Sequence, residues 1–164
     1  MANTHAIFNG THCAFWDVDA YNYVGISETD MDNGLFVALG AIGLKSDGGY
    51  EFAVTATNSP ELICGTPAQG YGIDAQVYDD PRYFYNEAGK PISVKRLVKG
   101  DCIELSAAAF TAAPADNATF ATVQASGKLT ANTTEAGAHF AVLGKHTIDC
   151  GAELVPTWIL QKLA

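Results

Sequence analysis

The sequence predicts an all-β fold, either a compact β-barrel or a β-sandwich of short antiparallel strands. Turn-forming clusters of glycine, proline, asparagine and aspartate recur at short, regular intervals along its 164 residues. Between these clusters, apolar residues alternate with polar ones instead of following a helical period. At most one or two short helices fit between the turns, which disfavours an arrangement of alternating strands and long helices.

The chain begins with a segment that has neither a helical nor a strand period. Residues 1–11 are polar and contain a glycine, so we expect an extended N-terminal arm that needs a surface to lie on. Residues 12–164 then form a single β domain, because the length suits one domain. Aromatic strand formers over residues 12–26 predict its first strands, while Asp17 and Asp19 disfavour a long helix there.

The next part of the chain predicts a β-hairpin. The dipeptide Asn33-Gly34 is a strong turn signal, because both residues tolerate a positive φ angle. Residues 35–44 are a continuous apolar run interrupted only by two glycines, which predicts a strand buried on both faces. After a turn at residues 46–49, residues 51–57 alternate between apolar and polar and predict the second strand of the hairpin.

Shorter alternating segments predict the remaining strands. Residues 92–95 and 103–106 alternate on either side of a turn. Ser106 can cap a short helix over residues 107–113, which Pro114 would stop. The last third of the chain returns to short threonine-rich strands, predicted over residues 119–124, 128–130 and 139–144, and ends in an apolar segment over residues 155–163.

The amino-acid composition favours protein partners over nucleic acid and anionic membranes. Only 16% of the residues are charged, against about 25% in an average soluble domain, so the surface is easier to desolvate against another protein. The 9 basic and 18 acidic residues give a net charge of −9, which disfavours nucleic acid and anionic membranes. We expect a cytosol-like compartment, because neither a signal-peptide pattern nor an apolar run of membrane-spanning length is found. The four cysteines are spaced as free thiols rather than as a metal or redox motif.

No group of residues in the sequence predicts catalysis. Residues 70–75 match the dinucleotide pattern G-x-G-x-x-A, but no long helix can follow, so we predict a plain loop. Two aspartate pairs resemble the start of a calcium loop without continuing it, and four histidines have no assignable nucleophile. We therefore expect no enzymatic activity, no cofactor and no metal. The aspartate pairs are Asp17 with Asp19 and Asp30 with Asp32, and the four histidines are His5, His12, His139 and His146.

Aromatic residues are concentrated in a polar loop that follows residue 77. Tyr78, Tyr83, Phe84 and Tyr85 either fold back as a small satellite core or serve as anchors at an interface, because amphipathic rings are suited to both. The sequence leaves both interpretations open.

Several turn and strand motifs, taken in order, resemble those of a known family. The Asn33-Gly34 turn is followed by LFVALG, a polar loop, GKPISVKRL at residues 89–97, Lys99-Gly100-Asp101 and a strand of the form Ile-x-Leu-Ser. This order, over about residues 32–106, resembles the small capsid decoration (head cement) proteins of tailed bacteriophages. The resemblance implies a β domain, without enzymatic activity, that binds the outer surface of an assembled head and cements neighbouring major capsid subunits.

The partners implied are the major capsid protein and neighbouring copies of the same chain, on the outer capsid surface of a virion whose proteins are made in the host cytoplasm. We expect the arm to order on a neighbour through backbone hydrogen bonds, and the aromatic loop to anchor the contact. The candidate interface residues are Asn3, Thr4, His5, Ile7 and Phe8 in the arm, and Tyr83, Phe84 and Tyr85 in the loop.

Other classes of protein share these features. A carbohydrate-binding module would use exposed tryptophans, here Trp16 and Trp158, as platforms for sugar rings. A phage tail, fibre or baseplate subunit is the nearest structural alternative. An enzyme is the third, although no carboxylate pair or activated nucleophile is found for it.

Overall fold

The computed structural model describes residues 5–44, 50–68, 80–151 and 153–163. In these ranges the chain folds as two β-sheets in a sandwich-like arrangement, which confirms the all-β prediction and shows no closed barrel. The strands described are β1 (Phe8–His12), β2 (Asn22–Ile26), β3 (Val37–Leu44), β4 (Tyr50–Ala56), β5 (Leu62–Cys64), β6 (Pro91–Arg96), β7 (Cys102–Ser106), β8 (Phe120–Val123), β9 (Leu129–Asn132), β10 (Phe140–Asp149) and β11 (Leu154–Lys162).

The two sheets divide the chain unevenly. One sheet has six strands in the order β1-β7-β11-β10-β8-β9, and the other has five in the order β3-β4-β2-β6-β5. Neighbouring strands are antiparallel except β2 and β4, which run parallel. The predicted hairpin of β3 and β4 is confirmed, with Val37 opposite Ala56 and Leu44 opposite Tyr50, while its turn lies outside the described residues.

Short 3₁₀ turns are the helical elements of the described ranges. They cover Ala14–Trp16, Asp19–Tyr21 and Ala107–Ala109. The helix predicted over residues 107–113 is therefore too long, because Phe110 already forms a bridge with Leu129 and leaves the helical path. No helix in the described part of the chain is long and apolar enough to cross a membrane.

The main hydrophobic core draws most of its strand residues from the six-stranded sheet and includes Ile63 of β5 from the five-stranded sheet. Its largest buried members are Phe15, Phe36, Ile63, Leu97, Ile103, Leu105, Phe110, Leu129, Phe140, Trp158 and Leu160. A second core uses the other face of the five-stranded sheet, since neighbouring residues of a strand point to opposite faces. Phe36 and Ile63 belong to the main core, whereas Val37 and Cys64, next to them in the chain, belong to the second.

The turn at Gly34 joins the two cores. Gly34 has a φ angle of +78°, and a Cβ atom there would lie 2.6 Å from Leu105 Cδ2 in the main core. Both the backbone conformation and the space thus require glycine. A bridge between Phe36 and Ile63 then brings the beginning of β3 close to β5.

The apolar run at residues 35–44 is not buried on both faces as predicted. Val37 is buried, but the strand is exposed from Gly40 to Gly43, and Ile42 is 55% exposed. Leu39 packs against the second core, and a bulge between Leu39 and Ile42 follows it. Residues 40–43 extend past the core, so the side chains of Ala41 and Ile42 are not covered.

The aromatic segment at residues 12–26 is also less regular than predicted. Phe15 and Trp16 lie in a 3₁₀ turn instead of a strand, and Asp101 Oδ1 accepts a hydrogen bond of 3.0 Å from the backbone N–H of Ala14 at its start. Phe15 is buried in the main core while Trp16 is 66% exposed. A single strand, β2, covers the end of this segment.

The predicted N-terminal arm is part of the domain from at least residue 6 onward. Phe8–His12 forms β1 and pairs with β7, and Ala6 and Ile7 are buried. Ile7 exchanges hydrogen bonds with Ser106, whose hydroxyl accepts from the Ile7 N–H at 2.9 Å. In the described residues, the surface on which this extended segment lies is therefore the chain's own six-stranded sheet.

Candidate interaction surface

Two segments that the sequence nominates separately meet at one place on the surface. The ring of His5 stacks on the ring of Tyr85, with centroids 4.9 Å apart and planes inclined by 22°. His5 Nδ1 also lies 2.7 Å from Asp32 Oδ1. We call His5, Asp32 and Tyr85 the His5–Tyr85 surface. All three side chains are partly exposed, so their rings and the carboxylate are accessible to a partner.

The buried side chains of Asn33 and Asn86 fix the backbone segments that carry this surface. Met31 and Asn86 form an antiparallel bridge, and the Asn86 side chain donates to the carbonyl of Met31 at 3.0 Å. Asn33 exchanges hydrogen bonds of 2.8 and 3.0 Å with the backbone of Thr66. Asn33 and Asn86 are both buried, so these bonds are shielded from water. They fix the backbone on either side of Asp32 and Tyr85.

The loop that carries Tyr85 is further fixed by an arginine. Arg82 pairs with Asp80, donates to Glu153 at 3.1 Å and lies over the ring of Tyr83 at 5.4 Å. Hydrogen bonds from Arg82 hold the pKa of Asp80 below its ordinary value. Because Glu153 precedes β11, this ion pair attaches the loop to the six-stranded sheet.

The predicted interface residues have different positions. Phe84, Ile7 and Phe8 are poor anchors, since Phe84 and Ile7 are buried and Phe8 packs on the main core. Phe84 therefore follows the satellite-core interpretation of the loop. His5, Tyr83 and Tyr85 keep exposed surface. Asn3 and Thr4 lie outside the described residues, as do Tyr78 and the glycine-rich pattern at residues 70–75.

A polar cluster that the sequence did not predict crosses the outer face of the six-stranded sheet. Glu104 is only 3% exposed, although Ile103 and Leu105 on either side point into the main core. Its Oε1 accepts a hydrogen bond of 2.6 Å from the Thr157 hydroxyl and lies 2.7 Å from His146 Nδ1. Asn9 donates to Oε2 at 3.5 Å. We call these four residues the Glu104 cluster.

Asn9 and His146 are the accessible members of the Glu104 cluster. The side chain of His146 is 59% exposed, so its second ring nitrogen can face solvent while the buried carboxylate orients the ring. The alternating pattern of residues 103–106 predicts that Glu104 faces outward, like an ordinary polar residue of a strand. Its partners come from three other strands, 42 to 95 residues away in the chain, and no local signal indicates them.

Two of the aspartates considered from the sequence have identifiable partners. Asp30 accepts from the backbone N–H of Ala88 at 2.9 Å, and Asp32 binds His5. The cysteines are free thiols, as predicted. Burial raises the pKa values of Cys13 and Cys64 to about 12, which keeps both thiols protonated and weakly nucleophilic at neutral pH. In the described ranges no three histidine, cysteine or acidic side chains are grouped to hold a metal ion.

Comparison with known proteins identified no match for this chain. No protein-family model matches the chain, and neither the curated proteins nor the solved structures include a significant match. The resemblance to capsid decoration proteins thus stays a prediction from the sequence.

Proposed function

We propose that the chain is a structural virion protein that binds the outer surface of an assembled tailed-phage head and cements neighbouring major capsid subunits. It acts without catalysis or cofactor, and it is made in the host cytoplasm before joining the virion. The observation that carries this proposal is the stacking of His5 on Tyr85, which joins the two segments that the sequence nominates as contacts.

The His5–Tyr85 surface suits such a contact because it is ordered before binding. Asp32 fixes the ring of His5, and Asn86 and Arg82 fix the loop on either side of Tyr85. Little side-chain entropy is then lost when a partner covers the rings. A single contact of this size is weak, but many copies on a repeating lattice gain occupancy through avidity.

The test is co-sedimentation of the purified chain with assembled phage shells. We expect regular occupancy for the wild type and at least a tenfold weaker association for Tyr85→Ala and His5→Ala. Trp16→Ala is the matched control, because it removes an exposed ring that lies outside this surface. A truncation that removes only residues 2–4 tests Asn3 and Thr4 and leaves β1 intact. Wild-type protein that stays in the supernatant at saturating shell concentration would refute the proposal.

Electron microscopy of intact particles separates the head from the tail. Density on the outer face of the head supports cementing, whereas density on tail or fibres keeps a virion role and rejects the cementing mechanism. Absence from particles would reject both.

A carbohydrate-binding module is the second candidate. Trp16 is 66% exposed and offers a ring face for a sugar, while Trp158 is only 6% exposed and packs against Phe110, so its predicted role as a platform is wrong. Tryptophan fluorescence titrated with a panel of polysaccharides checks this function. A shift that is lost in Trp16→Ala would favour it over the capsid role.

A further inference from the structure

The edge strands of the two sheets are β1, β9, β3 and β5. They differ in whether the backbone groups on their outer sides are hydrogen-bonded. On β1, the carbonyl of Gly10 accepts a hydrogen bond of 3.1 Å from the Trp16 indole N–H. On β5, Cys64 exchanges backbone hydrogen bonds with Leu35 and Gly34. On β9, the carbonyl of Leu129 accepts from the Thr111 N–H at 2.8 Å. Each of these edges thus has a backbone group that is already occupied.

Among the described residues, the fourth edge strand, β3, has an outside backbone contact only where it begins. The backbone of Phe36 bonds to Gly127 and Thr57, but beyond it no outside backbone partner for residues 37–44 is found in the described ranges. The chemical character of β3 leaves this edge open as well. Its sequence, VALGAIGL, contains no charged residue and no proline, which are two of the usual means of preventing edge-to-edge pairing. The bulge between Leu39 and Ile42 is a third such means, and it is present in this strand.

The other partly unpaired strand shows the contrast. β10 pairs with β8 only through Phe140 and Ala141, so much of its outer side is also open. That stretch carries Lys145 and His146, both exposed, and charged side chains discourage pairing with another strand. The β3 edge lacks such protection.

Apolar side chains flank the open edge of β3. Ile42 lies opposite Phe52 in the β3–β4 ladder and is 55% exposed. Tyr50, two residues before Phe52 and therefore on the same face, is 66% exposed. We call the stretch Gly40–Gly43 with the side chain of Tyr50 the β3 edge surface. It combines backbone groups that have no outside partner among the described residues with an exposed apolar face, which is the combination that strand addition uses.

We propose that the β3 edge surface pairs with the same surface of a second copy of this chain, as two antiparallel strands related by a two-fold axis. Such a pair needs no other sequence, because each strand supplies the donors and acceptors that the other lacks. The chain carries a net charge of −9, so two copies repel each other over most of their surfaces. An uncharged strand is where such copies can approach most closely.

The size of the surface sets the strength of the pair. Ile42 and Tyr50 together expose on the order of 200 Å² of side chain, judged from the area of a typical aromatic residue. A stable dimer buries about 800 Å² on each partner. We therefore expect a weak pair with a dissociation constant of roughly 0.1–1 mM. Its biological setting rests on the proposed function, since a lattice brings copies to such local concentrations, although the pairing is measurable without shells.

Sedimentation equilibrium from micromolar to millimolar protein tests the pairing. Wild type is expected to dimerise within this range, and Ile42→Lys to dimerise at least tenfold more weakly. Leu143→Lys is the matched control, because Leu143 is 56% exposed, against 55% for Ile42, and both variants gain one positive charge. The added positive charge reduces the repulsion between two negatively charged copies. Weaker dimerisation of Ile42→Lys would therefore show that the β3 edge surface is needed for pairing. Circular dichroism verifies that both variants are folded.

Amide hydrogen exchange locates the contact. The amides of Ile42 or Gly43 should exchange more slowly at millimolar than at micromolar protein, while those of Lys145 and His146 on β10 should not change. A wild type that stays monomeric at millimolar concentration overturns the inference, and so does equal loss of pairing in Leu143→Lys or protection confined to β10. A monomer that still binds shells leaves the proposed function standing, and a dimer that ignores shells leaves the pairing standing.

Discussion

The hairpins β3–β4 and β10–β11 are built alike but end in different environments. Both extend past a hydrophobic core, both contain a bulge, and each exposes a large aliphatic side chain on its first strand. In β10–β11 the second strand is central in its sheet and buries Val155, Thr157, Trp158 and Leu160. In β3–β4 the second strand buries only Val54. Exposure of a hairpin thus depends on which strands flank it more than on its own hydrophobicity.

The largest difference we expect between the hairpins is in stability. Phe140 at the beginning of β10 is fully buried, and its ring lies 5.3 Å from that of Phe36. Phe140→Ala should lower the free energy of unfolding by about 3–5 kcal/mol, because it leaves a cavity in the main core. Phe52→Ala on the half-buried face of β4 should cost about 1 kcal/mol. Urea denaturation of both variants measures the two losses, and equal losses would contradict the comparison.

The sequence predicted local features of both hairpins better than their surroundings. The turn at Asn33-Gly34, the pairing of residues 37–44 with 50–56, and the burial of alternate residues in β6 follow from turn chemistry and period. Features that depend on tertiary neighbours did not follow. Residues 35–44 looked fully buried because nothing in their pattern shows where the core ends, and the pairing of β1 with β7 was not predicted because the two strands lie about 90 residues apart.

The candidate site was predictable to a similar extent. The sequence nominated His5 and Tyr85 for separate reasons, and their stacking depends on long-range contacts that a pattern cannot encode. It also nominated Phe84, whose apolar character suits a core as well as an interface. The Glu104 cluster was missed because a glutamate in an alternating strand normally faces water.

A smaller effect should come from the Glu104 cluster, which connects β10 and β11 to β7 and β1. Glu104→Ala leaves the fully buried Thr157 hydroxyl without its acceptor and should cost about 2–3 kcal/mol. His146→Ala should cost less than about 1 kcal/mol, because water can replace an exposed ring. Thermal and urea unfolding measure both.

The matched control for this prediction is Glu135→Ala, which removes an exposed carboxylate and should change the stability by less than about 0.5 kcal/mol. A double variant of Glu104→Ala with Thr157→Val should lose less than the sum of the two single variants, since it removes both donor and acceptor. If His146→Ala costs as much as Glu104→Ala, the stabilisation comes from the ion pair rather than from the buried hydroxyl.

The smallest expected effect is a dependence of stability on pH at the base of β10. The backbone N–H of Val123 donates to His139 Nδ1 at 3.1 Å, which requires that nitrogen to be unprotonated. Burial, with a contribution from the charge of Lys162, lowers the pKa of His139 below its ordinary value of 6.5. The unfolded chain therefore binds more protons than the folded chain as the pH falls below 6.5, so this contribution is complete above that pH and is lost through the folded pKa.

Its size should be under about 1 kcal/mol, that of one partly exposed hydrogen bond. Urea unfolding at a series of pH values from above 7 to about 5 should show a larger loss of stability in the wild type than in His139→Ala. The exposed His12 provides the control, and His12→Ala should keep the wild-type dependence. Identical pH profiles for wild type and His139→Ala would show that the Val123 bond does not couple protonation to folding.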